Sequence, residues 1–104
     1  MYGSQHPIET CNPDDDEIVN VDVVGNICES GDVFARARPL PRPREGHVLR
    51  IGCAGAYGIV MASHYNMRPL PAEVALTAAT ELQLLRPRQS VGAFVDSFLS
   101  SYDN

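Results

Sequence analysis

Between residues 18 and 24 the chain reads Ile-Val-Asn-Val-Asp-Val-Val, so that Val19, Val21 and Val23 fall on one side of an extended backbone and Asn20 and Asp22 on the other. Alternation of this kind predicts a strand with one buried face, and Gly25-Asn26 ends it. The same alternation recurs over 47–53, placing Leu49, Ile51 and Cys53 together on a second strand. Shorter extended stretches are expected over 33–37, 73–77 and 81–86. After Ser90, a residue type that caps helix N-termini, Val91, Phe94, Val95, Phe98 and Leu99 follow at the i, i+3, i+4, i+7, i+8 spacing of a short amphipathic helix. Pro39, Pro41 and Pro43 remove backbone donors and consign 38–44 to a sheet edge or to a loop between two strands. Residues 59–66 leave room for a helical turn, and Arg68-Pro-Leu-Pro71 reads as an extended connection. On pattern alone the chain is mainly β with one terminal helix.

Composition narrows the classes of function. With 104 residues there is room for one small domain, or part of one. A net charge of −5 argues against nucleic acid or an anionic membrane as partner, because phosphates would be repelled. No apolar run approaches the roughly 20 residues of a membrane span, and no signal-like opening is present, so a soluble chain is expected. Cys11, Cys28 and Cys53 are odd in number and lack C-x-x-C spacing, which suggests neither a disulfide framework nor a zinc site and fits a reducing, cytoplasmic setting. His6, His47 and His64 have the spacing of no ligand set and are expected to be ordinary surface histidines. Asn12-Pro-Asp-Asp-Asp-Glu17 lacks the layout of a calcium loop and reads as a solvated turn. All eight basic residues are arginines.

The chemistry-bearing stretch is Asn26-Ile-Cys-Glu-Ser-Gly-Asp32, a thiol and a carboxylate side by side in a Gly-flanked loop at a strand end, where function commonly resides. With the preceding Val21-Asp-Val-Val-Gly25 it resembles the Cys-Glu-Ser/Thr-Gly-Asp motif of the diaminopimelate decarboxylase family, pyridoxal-phosphate enzymes of the alanine-racemase-like fold type. Ala54-Gly-Ala-Tyr-Gly58 and Tyr65-Asn-Met-Arg-Pro-Leu-Pro-Ala-Glu-Val74 extend the match. Met1-Tyr-Gly-Ser-Gln-His-Pro-Ile-Glu9 resembles a segment that lies well inside the members of the family.

The resemblance implies that 1–104 form an incomplete C-terminal β-barrel domain with a short C-terminal helix, and that the N-terminal (β/α) barrel is absent from this chain. Pyridoxal enzymes hold their cofactor as a Schiff base on a lysine, and with no lysine this chain cannot do so. The implied activity is conversion of meso-2,6-diaminopimelate to L-lysine and carbon dioxide in lysine biosynthesis, by a homodimer whose subunits share each active site. The isolated chain is expected to be inactive. Alternatives are a decarboxylase of the same fold type acting on ornithine, arginine or carboxynorspermidine, or a non-catalytic β-domain used for dimerisation.

Carried over residue by residue, Cys28 stands where the family has its proton donor. A thiol suits that task, being mostly protonated at neutral pH yet ready to release its proton. Without the motif, each cysteine would be read as a small buried hydrophobe, and Cys11 and Cys53 keep that reading; Cys53 stands where the family commonly has Asp. Glu29 matches a substrate-binding glutamate able to pair with a substrate ammonium. Tyr57 matches the tyrosine that touches both cofactor and substrate, and Tyr2 a further substrate-contacting tyrosine.

Overall fold

Val19, Val21 and Val23 do turn one face inward, and the strand they build runs over Ile18–Val24 (β2) in the computed structural model, which describes residues 3–12 and 17–103. Tyr2 and most of the acidic turn, 13–16, lie outside the described residues. In chain order the elements are β1 (Ile8–Thr10), β2, β3 (Val33–Pro41), β4 (Leu49–Ile51), α1 (Gly55–Gly58), a 3₁₀ turn at Tyr65–Met67, β5 (Glu73–Leu76), β6 (Leu82–Arg86) and α2 (Val91–Ser100). They form three antiparallel pairs, β1 with β4, β2 with β3 and β5 with β6. The chain divides into two compact units, 1–58 and 59–104.

In the first unit Ile8, Val23 and Leu40 are buried together, with Val21, Ala35, Leu49 and Ile51 packed around them. One residue each from β1, β2 and β3 thus closes a small core, and β4 covers it through Leu49 and Ile51. The register Ile8↔Ile51 and Thr10↔Leu49 keeps these apolar side chains on one face.

Two expectations for this unit need correction. The strand begun at Val33 does not stop near Ala37 but continues through Pro39 to Pro41. The reason lies in parity. Arg42 donates its backbone N–H to the Glu17 carbonyl at 2.8 Å, which puts Leu40 and Arg38 at the hydrogen-bonded pairs facing Val19 and Val21, and Pro39 and Pro41 at the alternate ones. The proline nitrogens therefore face away from β2, where no ladder bond is lost. A bulge between Val21 and Val23 sets Arg36 and Ala37 against Asp22; Ala37 takes a φ of 47°, and its N–H is met by Asp22 Oδ1 at 2.8 Å. The second correction concerns 47–53, which yields a strand only over Leu49–Ile51. Cys53 lies beyond it at φ 54°, where an extended strand cannot continue.

In the second unit β5 and β6 fall where expected, joined by a turn in which Thr80 N–H reaches the Thr77 carbonyl at 2.9 Å. Within 59–66 the chain turns at Ile59–Ala62, where Ala62 N–H reaches the Ile59 carbonyl at 3.1 Å, and enters the 3₁₀ turn at Tyr65–Met67. Helix α2 starts where the sequence indicated, with Ser90 Oγ accepting from Ala93 N–H at 3.1 Å. Of its apolar stripe only Phe94 is buried, stacked on His64 with ring centroids 4.7 Å apart. Val91, Phe98 and Leu99 remain exposed, as do the cross-strand pairs Val74–Leu84 and Leu76–Leu82 of the hairpin.

Candidate functional site

The thiol loop is built by its own backbone. Gly25 N–H bonds the Asp32 carbonyl at 2.9 Å and so continues the β2–β3 ladder past Val24↔Val33, closing the loop at its base. Inside, Glu29 N–H reaches the Ile27 carbonyl at 2.8 Å, a three-residue turn centred on Cys28. Asp32 N–H then reaches the Glu29 carbonyl at 3.1 Å, a four-residue turn with Ser30 and Gly31 at its centre. Consecutive tight turns leave little freedom to the residues between them.

Two carboxylates complete the loop. Asp32 Oδ2 accepts Ile27 N–H at 2.9 Å, and its head lies over Gly25 so closely that a Cβ there would stand 2.1 Å from Oδ2. Glu29 Oε2 accepts Gly31 N–H at 2.9 Å, and a Cβ on Gly31 would lie 2.7 Å from it. At both positions a side chain would force the neighbouring carboxylate to shift. Asp32 and Gly25 are site-shaping residues that sequence reasoning quoted only as flanks; the signal was the pairing of a Gly just before the loop with an Asp at its end.

The loop makes a specific stability prediction. In Gly25→Ala the new methyl displaces the Asp32 carboxylate and strands Ile27 N–H, at a cost of about 1–2 kcal/mol, typical of one orphaned part-buried donor. Urea unfolding of the variant should show a lower midpoint with little change in slope. Asp32→Ala should cost a similar amount and the double variant no more than the larger single loss, since both break one contact.

All three cysteines are exposed. Cys28 is therefore available for chemistry, and the expectation that Cys11 and Cys53 are small buried hydrophobes is corrected: both lie just beyond strand ends, outside the sheet faces that pack the core. Glu29 is exposed, its carboxylate oriented by Gly31 N–H. A carboxylate has about four acceptor sites, so the contact leaves room for an ammonium partner. Tyr57 is 73% exposed on the short helix α1, not a core ring. Its neighbours Gly55 and Gly58 have open space where a side chain would stand, so a ligand can approach closely. Cys28, Glu29 and Tyr57 all belong to the first compact unit; Tyr2 lies outside the described residues.

The histidines are less ordinary than expected. His6 and His47 are half-buried, His6 Nδ1 lies 3.0 Å from the Gly52 carbonyl, and His64 Nε2 lies 2.9 Å from Gln89 Oε1, which also accepts Leu70 N–H at 3.0 Å. No group of three or more His, Cys, Asp or Glu among the described residues is arranged to hold a metal. Nor is any helix among them long and apolar enough to cross a membrane.

Comparison with known proteins converges on one family. Residues 1–55 match the family described as pyridoxal-dependent decarboxylase, C-terminal sheet domain. The diaminopimelate decarboxylase of Methanothermobacter thermautotrophicus is 50% identical over 91 residues, covering 86% of this chain and 21% of the relative. That of Deinococcus radiodurans is 49% identical over 92 residues, 86% of this chain and 23% of the relative. Among solved structures, diaminopimelate decarboxylase from Helicobacter pylori complexed with L-lysine superposes with a TM-score of 0.83 at 35% identity, covering 96% of this chain and 24% of that one. The chain spans about a fifth of the length of the curated relatives it matches.

Proposed function

The chain belongs to the pyridoxal-dependent decarboxylases, of which it carries the C-terminal sheet domain, and on that footing we propose that it serves a diaminopimelate decarboxylase as the domain that supplies proton donor and substrate contacts. The reaction releases carbon dioxide from meso-2,6-diaminopimelate and leaves L-lysine, the last step of lysine formation. The observation that carries this reading is the Cys28–Asp32 loop, in which an exposed thiol and an oriented carboxylate are adjacent and held by consecutive turns.

The cofactor fits this chain in part. There is no lysine to bind it covalently, whereas Tyr57, flanked by glycines with open space beside them, suits a surface on which a ring and a substrate can rest. When bound, pyridoxal phosphate supplies the electron sink that makes loss of carbon dioxide feasible. The remaining work is that of protein side chains. Cys28 Sγ holds the proton to be delivered to the substrate carbon from a fixed side. Glu29 binds the distal ammonium through a charge-assisted hydrogen bond, and Tyr57 contacts the substrate beside it.

The exposed apolar surface supports the partners that this reading requires. The apolar hairpin pairs Val74–Leu84 and Leu76–Leu82, and the α2 residues Val91 and Leu99, have no cover, as expected of a domain that buries them against an N-terminal barrel and a second subunit. Free exposed thiols accord with a cytoplasmic, reducing location.

Two measurements test the proposal. The full-length protein should release carbon dioxide from meso-diaminopimelate in preference to ornithine, arginine or carboxynorspermidine. The isolated chain, mixed with pyridoxal phosphate and borohydride, should acquire no covalent adduct on any side chain, the N-terminal amine being blocked beforehand. Preference for ornithine or arginine would reassign the substrate within the same fold.

A further inference from the structure

His6 stands at a junction that the proposed chemistry does not account for. Its partner Gly52 O can only accept, so the proton of the hydrogen bond resides on His6 Nδ1. The other polar group of Gly52 is held by the adjoining residue, since its N–H bonds the Pro7 carbonyl at 2.8 Å. Pro7 in turn biases His6 toward extended backbone, and the His6 carbonyl accepts Arg38 Nη2 from β3 at 3.3 Å. Gly52 is the last residue before the chain turns at Cys53, φ 54°, into Ala54-Gly55-Ala56-Tyr57. His6 also lines a cavity of about 210 Å³ together with Gly31, Asp32, Val33 and Phe34. It therefore bonds the exit of β4 toward Tyr57 and shares a cavity with the end of the loop that carries Cys28 and Glu29.

We propose that His6 is a positioning residue for the candidate site: by donating Nδ1–H to the Gly52 carbonyl while walling the cavity beside Gly31 and Asp32, it fixes the Tyr57 segment relative to the thiol loop. The inference rests on the functional reading given above for Cys28, Glu29 and Tyr57. It distinguishes sharply between replacements. An asparagine amide reaches about as far as Nδ1 and preserves the donor to Gly52, whereas a glutamine amide extends toward the position of Nε2 and does not.

The test uses the full-length holoenzyme with His6→Ala, His6→Gln and His6→Asn, alongside Cys28→Ala. Turnover in the Ala and Gln variants should fall by roughly 10- to 100-fold, the usual effect of misplacing reacting groups by about an ångström. KM for diaminopimelate should change far less than kcat, and His6→Asn should recover most of the lost turnover. Independently of activity, amide hydrogen exchange over 52–58 should quicken in the Ala and Gln variants and not in His6→Asn. If the Ala variant does not fold, the Asn–Gln pair carries the comparison. Equal exchange over 52–58 in the Asn and Gln variants overturns the proposal, whatever the activity. A full-length protein inactive on diaminopimelate, or undisturbed by Cys28→Ala, but showing the Asn–Gln contrast in exchange, overturns the functional reading and leaves the positional role of His6 standing.

Discussion

Replacing Cys28 by alanine in the full-length enzyme is expected to lower turnover on diaminopimelate by about 10² to 10⁴, the worth of a positioned general acid. The loop explains why so large an effect should come from one atom. Cys28 sits at the centre of a three-residue turn fixed by Glu29 N–H to Ile27 O, so the sulfur is delivered from a backbone that has already lost its freedom. Alanine keeps that turn and removes only the proton carrier. Substrate affinity should change less than turnover, because the groups proposed to grip the substrate are Glu29 and Tyr57. Single-turnover kinetics separate the two steps. Turnover within a factor of about three of the parent, too little for a lost general acid, would return Cys28 to the status of an incidental surface thiol.

Glu29→Gln should cost roughly 2 to 4 kcal/mol in kcat/KM for diaminopimelate, as expected when one member of a desolvated charge pair is neutralised. The far end of diaminopimelate, the proposed substrate, carries an ammonium and a carboxylate on one stereocentre, and the ammonium is the group a carboxylate can claim. Gln retains an oxygen that can accept Gly31 N–H in place of Glu29 Oε2, so the loop should keep its shape. The loss therefore reports charge and not geometry. Measuring kcat/KM for diaminopimelate and for ornithine in parent and variant decides the matter: a variant that loses as little as a surface substitution does, about 0.5 kcal/mol or less, would place the ammonium site elsewhere.

How much of this was legible beforehand differs from element to element. Strand β2 and helix α2 could be read because their signals are local: alternation in Val19-Asn20-Val21-Asp22-Val23, and an N-cap Ser90 ahead of a helical stripe. The extent of β3 could not. A proline counts against a strand only when its nitrogen faces a partner, and that parity is fixed by the register with β2, which lies some twenty residues away in the chain. The left-handed backbone at Cys53 and Ala37 has no local signature either, since neither is Gly, Asn or Asp. Within the candidate site, Cys28, Glu29 and Tyr57 were legible through their motifs. His6 was not: its proposed role rests on a contact across 46 residues to Gly52, and spacing rules for histidine look for metals. The stripe on α2 was read correctly as a pattern, yet among its described residues only Phe94 is buried.

The prolines of β3 carry a further consequence. At positions 39 and 41 the backbone groups turned away from β2 are carbonyl oxygens with no accompanying N–H, so that stretch of border can receive hydrogen bonds and cannot give them. A strand arriving alongside would find alternate rungs missing. Arginine side chains and water, which bring donors without asking for any, suffer no such mismatch. Along Pro39–Pro41 the β3 border is in this sense one-sided in its valence, whereas Val33–Arg38 of the same strand keep their N–H groups.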